Sequence, residues 1–237
     1  MPEDGAAIRA RLAEVADRLE TASPEAVLAW ALETYGERVC LACSFGAEDM
    51  VLLDMGARMR PGLHVFYLDT GLLFQETYRL IQQAAALYPI RLIRVLPLLS
   101  LDEQARQHGE ALWSRDPDLC CRLRKVEPLR RFLQGYGAWI TGLRRQQSPL
   151  RAGTRPVEWD ARFGLAKVNP LFRWSRDDVW RYIREHQVPY NPLHDRGYPS
   201  IGCRPCTTPV APGEDERAGR WRGFGKTECG LHRPVEG

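Results

Sequence analysis

Short apolar runs alternate with segments of helical periodicity, and this alternation constrains the fold more than any other feature of the chain. The apolar runs, each typical of a buried strand, lie at 39–43, 63–68, 90–96 and 138–141. Helical apolar spacing occurs at 6–20, 24–35, 48–58 and 72–86. Strands that alternate with helices predict an α/β fold with a doubly wound, mostly parallel sheet.

Polar loops follow three of the predicted strands, at 44–49, 69–71 and 142–145. Ligands of such sheets bind at the carboxyl ends of the strands, so these loops predict where a binding site lies. The loop at 44–49 enters a helix, and the first backbone N–H groups of a helix can bind an anion. An ordinary strand-to-helix turn has the same short, glycine-containing sequence, so this loop alone leaves both interpretations open.

The character of the sequence changes near residue 187. Pro, Gly, Cys and charged residues dominate from there, and regular periodicity fades. We therefore expect an α/β domain with N-terminal helices at 1–186 and an irregular C-terminal tail at 187–237 that folds over the site.

Charge and hydropathy argue against several classes of protein. The net charge of +3, without a basic stripe, does not suit a general nucleic-acid binder. No apolar stretch approaches the roughly 20 residues of a membrane span, and the first residues lack a secretory signal. We expect a cytoplasmic protein whose seven cysteines are metal ligands, catalytic thiols or core residues rather than disulfides.

Cys40 and Cys43 have the spacing of a metal-binding or redox pair, but they lie on a predicted strand. Residues three apart on a strand point to opposite faces of the sheet, so the two thiols could not share one metal. Since buried cysteine commonly packs as a small apolar residue, we expect both in the core.

Four other cysteines fall at irregular positions rich in Pro and charge: Cys120, Cys121, Cys203 and Cys206. Four thiolates are the usual ligand set of a [4Fe–4S] cluster and of structural zinc. Adjacent cysteines suit a cluster better, because its separate irons can each take one of them. Two unrelated thiol pairs, or a strained disulfide between neighbours, remain the alternatives.

Cys229 stands apart, between Lys226 and His232 in a glycine-flanked segment. Positive neighbours lower the pKa of a thiol and populate the nucleophilic thiolate, although an incidental exposed cysteine would have the same sequence. Of the 33 basic residues, only Lys125, Lys167 and Lys226 are lysines. Since the rest are arginines, a retained lysine near a cysteine indicates weakly that its site requires it.

Several arginines fall where an anionic ligand would lie: Arg144, Arg145, Arg151, Arg217 and Arg220. The arginine fork binds the oxygens of phosphate or sulfate in bidentate fashion. In a chain so rich in arginine, any single member of this group could equally be a solvated surface residue, so the prediction rests on their placement.

Five motifs together resemble the phosphoadenylyl- and adenylyl-sulfate reductases, a family built on an adenine-nucleotide α-hydrolase-like fold. The resemblance covers about residues 38–233. It rests on Ser44 to Asp49, Leu68 to Gly71, Cys120 to Lys125, Thr141 to Arg145, and Glu228 to His232. The last motif, and the Cys-Cys pair with a later C-x-x-C, are the most specific and mark the cluster-bearing branch, which generally uses adenylyl sulfate.

The resemblance implies a role for each matching residue. The catalytic residues would be Cys229, His232 and Lys125, with Cys229 as the nucleophile that becomes an S-sulfocysteine. The substrate-binding residues would be Ser44, Phe45, Gly46, Leu68, Gly142, Arg144, Arg151, Arg217 and Arg220. A [4Fe–4S] cluster would be bound by Cys120, Cys121, Cys203 and Cys206. Residues 1–186 would be the nucleotide-binding domain.

The resemblance also implies partners: adenylyl sulfate as the substrate, and thioredoxin or a similar dithiol as the reductant. It implies no nucleic-acid or membrane partner and leaves a homo-oligomer open. Because Cys229 must meet the substrate and then the dithiol, we expect the tail to open and close.

Three rival functions make different predictions. A reductase of the 3′-phosphorylated nucleotide would normally lack the four cluster cysteines. An ATP-dependent tRNA thiolase would carry a pyrophosphate-binding loop, whereas Ser44 to Asp49 places two carboxylates at the helix start. A non-catalytic iron–sulfur sensor would keep its function without Cys229.

Overall fold

One six-stranded sheet organises the chain in the computed structural model, which describes residues 5–232. Its strands are β1 (Val39–Ala42), β2 (Leu63–Leu68), β3 (Ile90–Val95), β4 (Ala138–Ile140), β5 (Val157–Asp160) and β6 (Leu165–Val168). Their order in the sheet is β3-β2-β1-β4-β6-β5, and all neighbours are parallel except β5 and β6. The predicted mostly parallel α/β fold is confirmed.

The order of the strands reverses between β1 and β4. From β1 the chain adds β2 and β3 on one side, and it then returns to place β4 and β6 on the other. The connections after β1 and β4 therefore leave the sheet in opposite directions, which opens a crevice at their carboxyl ends.

Eight α-helices lie within the described residues. They are α1 (Gly5–Leu19), α2 (Pro24–Tyr35), α3 (Ala47–Met59), α4 (Gln75–Leu87), α5 (Leu101–His108), α6 (Pro117–Cys121), α7 (Glu127–Leu133) and α8 (Arg176–His186). The predicted start of α2 is confirmed, because Ser23 Oγ accepts a hydrogen bond from the Ala26 N–H at 3.2 Å and Pro24 is the first helical residue. None of these helices is long and apolar enough to cross a bilayer.

The core has two parts, one on each face of the sheet. The cysteine within β1 and the cysteine that follows β1 lie in different parts. Cys43 belongs to the large cluster that α1, α2 and α3 cover. Cys40 belongs to a smaller cluster with Phe66, Leu129 and Trp139 on the other face. Both cysteines are fully buried, so the prediction that they pack in the core on opposite faces is confirmed.

Several elements were not predicted from the sequence. The hairpin of β5 and β6 escapes a periodicity analysis because each strand has four residues and places charged side chains, including Asp160 and Lys167, in buried positions. Helices α5, α6 and α7 are short, between five and eight residues. The helix predicted to begin at residue 72 begins instead at Gln75, since Leu72 and Leu73 belong to the loop after β2.

The described part of the tail, 187–232, contains two short 3₁₀ helices, at His194–Arg196 and Arg204–Cys206, and one isolated bridge between Thr207 and Arg220. The segment packs onto the carboxyl ends of the strands. Its treatment as a separate unit stays a prediction, and its last five residues lie outside the described part of the chain.

Gly142 permits the close approach between the end of β4 and the start of α3. A Cβ atom at this position would lie 2.9 Å from Glu48 Cβ and would also collide with Asp49 Oδ1. We expect Gly142→Ala to lower the free energy of unfolding by about 1–3 kcal/mol in urea titrations, because α3 would have to shift. Gly135→Ala is the matched control, since nothing lies within 4 Å of its added methyl group and its φ angle suits any residue. Equal stability of the two variants would contradict this account.

Candidate active site

A cavity of about 210 Å³ lies at the carboxyl ends of β1, β2 and β4, where the strand order reverses. We call it the switch-point cavity. Eleven of the residues predicted from the sequence line it: Ser44, Phe45, Gly46, Leu68, Lys125, Gly142, Arg151, Arg217, Arg220, Cys229 and His232. The loops after the strands contribute the first members of this set and the tail contributes the last, so the fold brings the strand ends and the tail to one place.

The loop after β1 borders the cavity and contains a strained residue. Phe45 has a φ angle of 61°, in the left-handed region that bulky side chains rarely adopt, and its buried ring packs edge-on against Tyr67. Ser44 donates from both its N–H and its Oγ to Asp49 Oδ2, each at 2.6 Å. Burial raises the pKa of Asp49 to about 6, despite the hydrogen bonds from Ser44 that oppose this change.

Arg144 lies behind the cavity rather than in its wall, which differs from its predicted role in substrate binding. Its buried guanidinium donates to Glu48 Oε1 at 2.8 Å and to Glu216 Oε2 at 3.2 Å. The neighbouring Arg145 forms a two-point salt bridge with Glu20 and stacks over Phe172. Both side chains are already paired with protein groups, so their contacts support a structural role.

The acidic residue next to Cys229 anchors the tail. Glu228 is 3% exposed, and its two carboxylate oxygens accept from Arg151 Nε and Nη2, each at 2.9 Å. Arg217 Nη2 also donates to Glu228, at 3.2 Å. On the other side of Cys229, Arg162 donates to the carbonyl oxygens of Gly230 and Leu231.

Cys229 lies in a strongly positive environment. Burial by itself would raise the pKa of the thiol, but the charge of Lys125, the backbone N–H of Leu231 and the charge of Arg220 together lower the pKa below its ordinary value. Among the described residues, Lys125 forms no salt bridge with a carboxylate. The position of Cys229 therefore favours the thiolate, the nucleophilic form.

Three arginines near Cys229 have a buried Nε atom that forms no hydrogen bond with any described residue: Arg162, Arg217 and Arg220. Burial, followed by the charge of Arg151, lowers the pKa of Arg217 to about 10. Arg217 and Arg220 also line the cavity, so they add positive charge to the wall that contains Cys229.

His232 lies flat against Trp139, with ring centroids 5.5 Å apart and an angle of 13° between the planes. Burial, and then the charges of Lys167 and Arg151, lower its pKa well below the ordinary value. The imidazole is therefore neutral at pH 7, and its buried Nδ1 atom has no partner among the described residues. A neutral ring can offer a ligand one hydrogen bond but no charge.

A second, smaller cavity collects the other cysteines. Cys120, Cys121, Cys203 and Cys206 all line it, with Arg124, Lys125 and Trp221. We call it the cysteine cavity. Lys125 lines both cavities, so it stands between the four cysteines and Cys229.

The thiols of the cysteine cavity influence one another. Burial raises the pKa of Cys120 to about 12, and the charges of Cys121, Cys203 and Cys206 add to the effect. Thr70 Oγ1 lies 3.3 Å from Cys203 Sγ. No three cysteine, histidine or carboxylate side chains in residues 5–232 converge closely enough for a single metal ion. A four-iron cluster places its ligands farther apart than one ion does, because each thiolate binds a different iron.

A π-helical turn at Arg122–Val126 connects the adjacent cysteines to α7. The Glu127 N–H donates to the Arg122 carbonyl, five residues back, and Pro128 follows without an N–H of its own. Consecutive side chains of this turn point to different surroundings. Arg124 turns inward to Thr70 O and Gln104, while Lys125 reaches the switch-point cavity.

Some residues of the site were missed by the sequence analysis. Glu228 immediately precedes Cys229, and this position could have drawn attention to it. An acidic residue beside a nucleophile, however, suggests no favourable role in the reaction. His194 lines the cavity with a buried, unpartnered Nε2 atom, yet it lies in an irregular stretch without a pattern. Arg162 and Trp139 are distant from the tail in sequence and contact it only in the folded structure.

Comparison with known proteins identifies the family. The model of the phosphoadenosine phosphosulfate reductase domain matches residues 38–209. The chain is 55% identical over 208 residues to adenosine 5′-phosphosulfate reductase 2 of Bacillus subtilis, covering 87% of this chain and 88% of the relative. It is 51% identical over 227 residues to adenosine 5′-phosphosulfate reductase of Halalkalibacterium halodurans, covering 95% and 98%.

Solved structures agree with this assignment. The phosphoadenylyl-sulfate reductase of Candida auris superposes with a TM-score of 0.73 at 33% identity, covering 83% of this chain and 96% of that one. The FMN adenylyltransferase of Candida glabrata, at 17% identity and a TM-score of 0.60, shares the fold alone. Together with the motif-bearing cavity described above, these matches show that the chain belongs to the phosphoadenosine phosphosulfate reductase family.

Proposed function

We propose that this protein reduces adenylyl sulfate to sulfite and AMP, with Cys229 as the nucleophile and a thioredoxin-like dithiol as the reductant. The observation that carries the proposal is the corner of the switch-point cavity around Cys229. A thiol of lowered pKa shares the cavity wall with Lys125, Arg217 and Arg220, and these three cations suit attack on a negatively charged sulfonate group.

In the first step, the Cys229 thiolate attacks the sulfur atom of the substrate. The bond between that sulfur and the bridging oxygen of the phosphate breaks, AMP leaves with the electron pair, and the enzyme retains a Cys–S–SO₃⁻ group. Lys125, Arg217 and Arg220 balance the charge that develops on the phosphosulfate oxygens. His232 offers one further hydrogen bond as a neutral ring.

In the second step, a thiolate of the dithiol attacks Cys229 Sγ and releases sulfite. The second thiol of the donor then resolves the mixed disulfide, so the donor loses two electrons and Cys229 returns as a thiol. Cys229 is partly exposed but lies within the cavity. The tail therefore has to open for this exchange, and reducing conditions in the cytoplasm suit both the donor and the seven free cysteines.

The choice of adenylyl sulfate over its 3′-phosphorylated form rests on the close relatives and on the four additional cysteines. The relatives at about half identity are named for adenosine 5′-phosphosulfate. ATP suits the site less well, because Glu48 and Asp49 place two carboxylates where a pyrophosphate would lie.

We further infer that Cys120, Cys121, Cys203 and Cys206 would bind a [4Fe–4S] cluster. These cysteines share one cavity, and Arg124, Lys125 and Lys226 lie close enough to offset the negative charge of thiolates. When bound, the cluster would supply a fixed charge and a structural link between α6 and the tail. Lys226 already joins the same two parts through its salt bridge with Asp118.

Intact mass spectrometry tests the first step directly. Anaerobically purified protein incubated with adenylyl sulfate, without a dithiol, should gain the mass of one SO₃ group. The adduct should disappear on addition of reduced thioredoxin and should be absent from Cys229→Ser, because that variant lacks the nucleophile. An adduct that persists in Cys229→Ser would exclude this mechanism. If the wild type formed no adduct, the 3′-phosphorylated nucleotide, or ATP with tRNA, would be the next substrates to test.

Removal of the charge of Lys125 should impair the reaction. We expect Lys125→Ala to lower kcat/KM at least tenfold, which is about 1.4 kcal/mol of transition-state stabilisation. Because the cation stabilises the thiolate, its loss should raise the pKa of Cys229 and move the pH midpoint of alkylation by iodoacetamide upward. A kcat/KM within threefold of wild type would refute the role. Arg222→Ala, which removes an exposed cation paired with Glu214, is the control.

Loss of one cysteine of the cysteine cavity should remove the cluster. Cys203→Ala purified anaerobically should lose its visible absorbance and its bound iron. Cys40→Ala, which alters a core cysteine that lines neither cavity, should retain both. Unchanged iron content in Cys203→Ala would show that the metal is bound elsewhere.

A further inference from the structure

Arg151 and Arg217 both line the switch-point cavity, but their nitrogen atoms are used differently. All three nitrogens of Arg151 already donate within the protein: Nε and Nη2 to Glu228 at 2.9 Å, and Nη1 to Gln147 at 2.5 Å. Arg217 and Arg220, by contrast, each keep a buried Nε atom without a partner. Arg151 thus uses each of its three nitrogens within the protein, whereas Arg217 and Arg220 leave Nε unused.

We propose that Arg151 and Glu228 form a latch that positions Cys229, and that Arg151 is a positioning residue rather than a contact of the substrate anion. This inference rests on the proposed function, because it concerns how the nucleophile reaches the sulfonate group. It changes the role that the family resemblance implies for Arg151. It also gives Glu228 a role, which the sequence motif alone did not suggest.

Burial and geometry support the latch. The side chains of Arg151 and Glu228 are 9% and 3% exposed, and two parallel hydrogen bonds join them. Such a two-point bridge fixes both distance and orientation. Because Glu228 adjoins Cys229, fixing its side chain fixes the backbone that carries the nucleophile.

The latch continues into the loop after β1. Gln147 accepts from Arg151 and donates to Glu48 Oε1 at 2.9 Å, and Glu48 in turn accepts from Arg144 at 2.8 Å. A continuous series of hydrogen bonds therefore joins the tail to the strand end where the nucleotide would lie. These hydrogen bonds therefore fix the position of Cys229 relative to the pocket proposed for the substrate.

A second anchor holds the other side of Cys229. Arg162, in the turn between β5 and β6, donates to the carbonyl oxygens of Gly230 and Leu231. Arg162 contacts backbone atoms of the tail, which a side-chain substitution in the tail does not remove. Of the tail groups that the two anchors hold, only the Glu228 carboxylate can be changed by mutation. Glu228→Gln retains the size of the residue and removes the charge.

The kinetic test separates positioning from binding. At saturating adenylyl sulfate and without a dithiol, Glu228→Gln and Arg151→Gln should each form the SO₃ adduct at least tenfold more slowly than wild type. In a Cys229→Ser background, which blocks chemistry, Arg151→Gln should alter the Kd of adenylyl sulfate less than threefold. Arg151→Gln carries this comparison, because Glu228→Gln also removes a partner of Arg217. The double variant Arg151→Gln/Glu228→Gln should be no more than twofold slower than the slower single variant, because both changes break one bridge.

Glu214→Gln is the matched control. Glu214 also lies in the tail and pairs with an arginine, Arg222, at 3.0 Å, but the pair is exposed and outside the cavity. Its adduct rate should stay within twofold of wild type. A tenfold weaker Kd in Arg151→Gln, with an unchanged rate at saturation, would overturn the proposal and return Arg151 to the substrate.

Trypsin digestion tests the latch without any substrate. Lys226 is buried in the docked tail and paired with Asp118, so its peptide bond is protected, whereas Arg222 is exposed and gives an internal reference. Cleavage after Lys226, relative to Arg222, should accelerate at least tenfold in Glu228→Gln and Arg151→Gln. In Glu214→Gln, which releases Arg222, the rate of cleavage after Lys226 itself should stay unchanged. Arg162→Gln, which weakens the other anchor, should accelerate it as well.

The two measurements distinguish the latch from the reaction. If wild type forms no adduct but the variants expose Lys226, the latch stands and the proposed function fails. If wild type forms the adduct and the variants match it in rate and in protection of Lys226, the proposed function stands and the latch is wrong.

Discussion

The site depends on an excess of buried positive charge that its own side chains do not fully neutralise. Lys125, Arg217 and Arg220 surround Cys229, and two buried guanidinium donors remain without partners. Burying cations costs free energy unless acceptors compensate for the lost water. The Cys229 thiolate and Glu228 offset part of this cost. In the proposed reaction, the same positive charge would attract the substrate anion and favour the thiolate form of Cys229.

The sheet makes this concentration of charge possible. Because β1 and β4 are adjacent in space but distant in sequence, their loops meet from opposite directions, and Gly142 lets them meet closely. The sheet is buried on both faces, while Cys229 lies on an irregular segment held by a few specific contacts, among them those of Glu228 and Arg162. The strand ends set the geometry of the anion pocket, and the tail would have to release these contacts for the second step of the proposed reaction.

The sequence allowed prediction of the frame and of eleven residues that line the cavity. The alternation of apolar runs predicted β1 to β4 and the parallel sheet, the strand ends pointed to Ser44 and Gly142, and the family resemblance implied Leu68. The partners of the arginines could not be predicted. Arg144 matched a motif, but its pairing with Glu48 and Glu216 depends on residues far away in the chain.

The same limit applied to the tail, for which the sequence offered no periodicity. Cys229 could be singled out by its neighbours, whereas the roles of Glu228 and Arg162 appear only once the tail is docked.

The wider turn at Arg122–Val126 also has a consequence for how the protein can vary. A π turn holds one more residue than the α turn that would replace it. Deleting a single residue there would let an α turn form in its place, with the residues on either side close to their present orientation. The extra residue therefore sets the directions of the side chains within the turn, and a one-residue deletion would move Lys125 away from the boundary of the two cavities that it now lines.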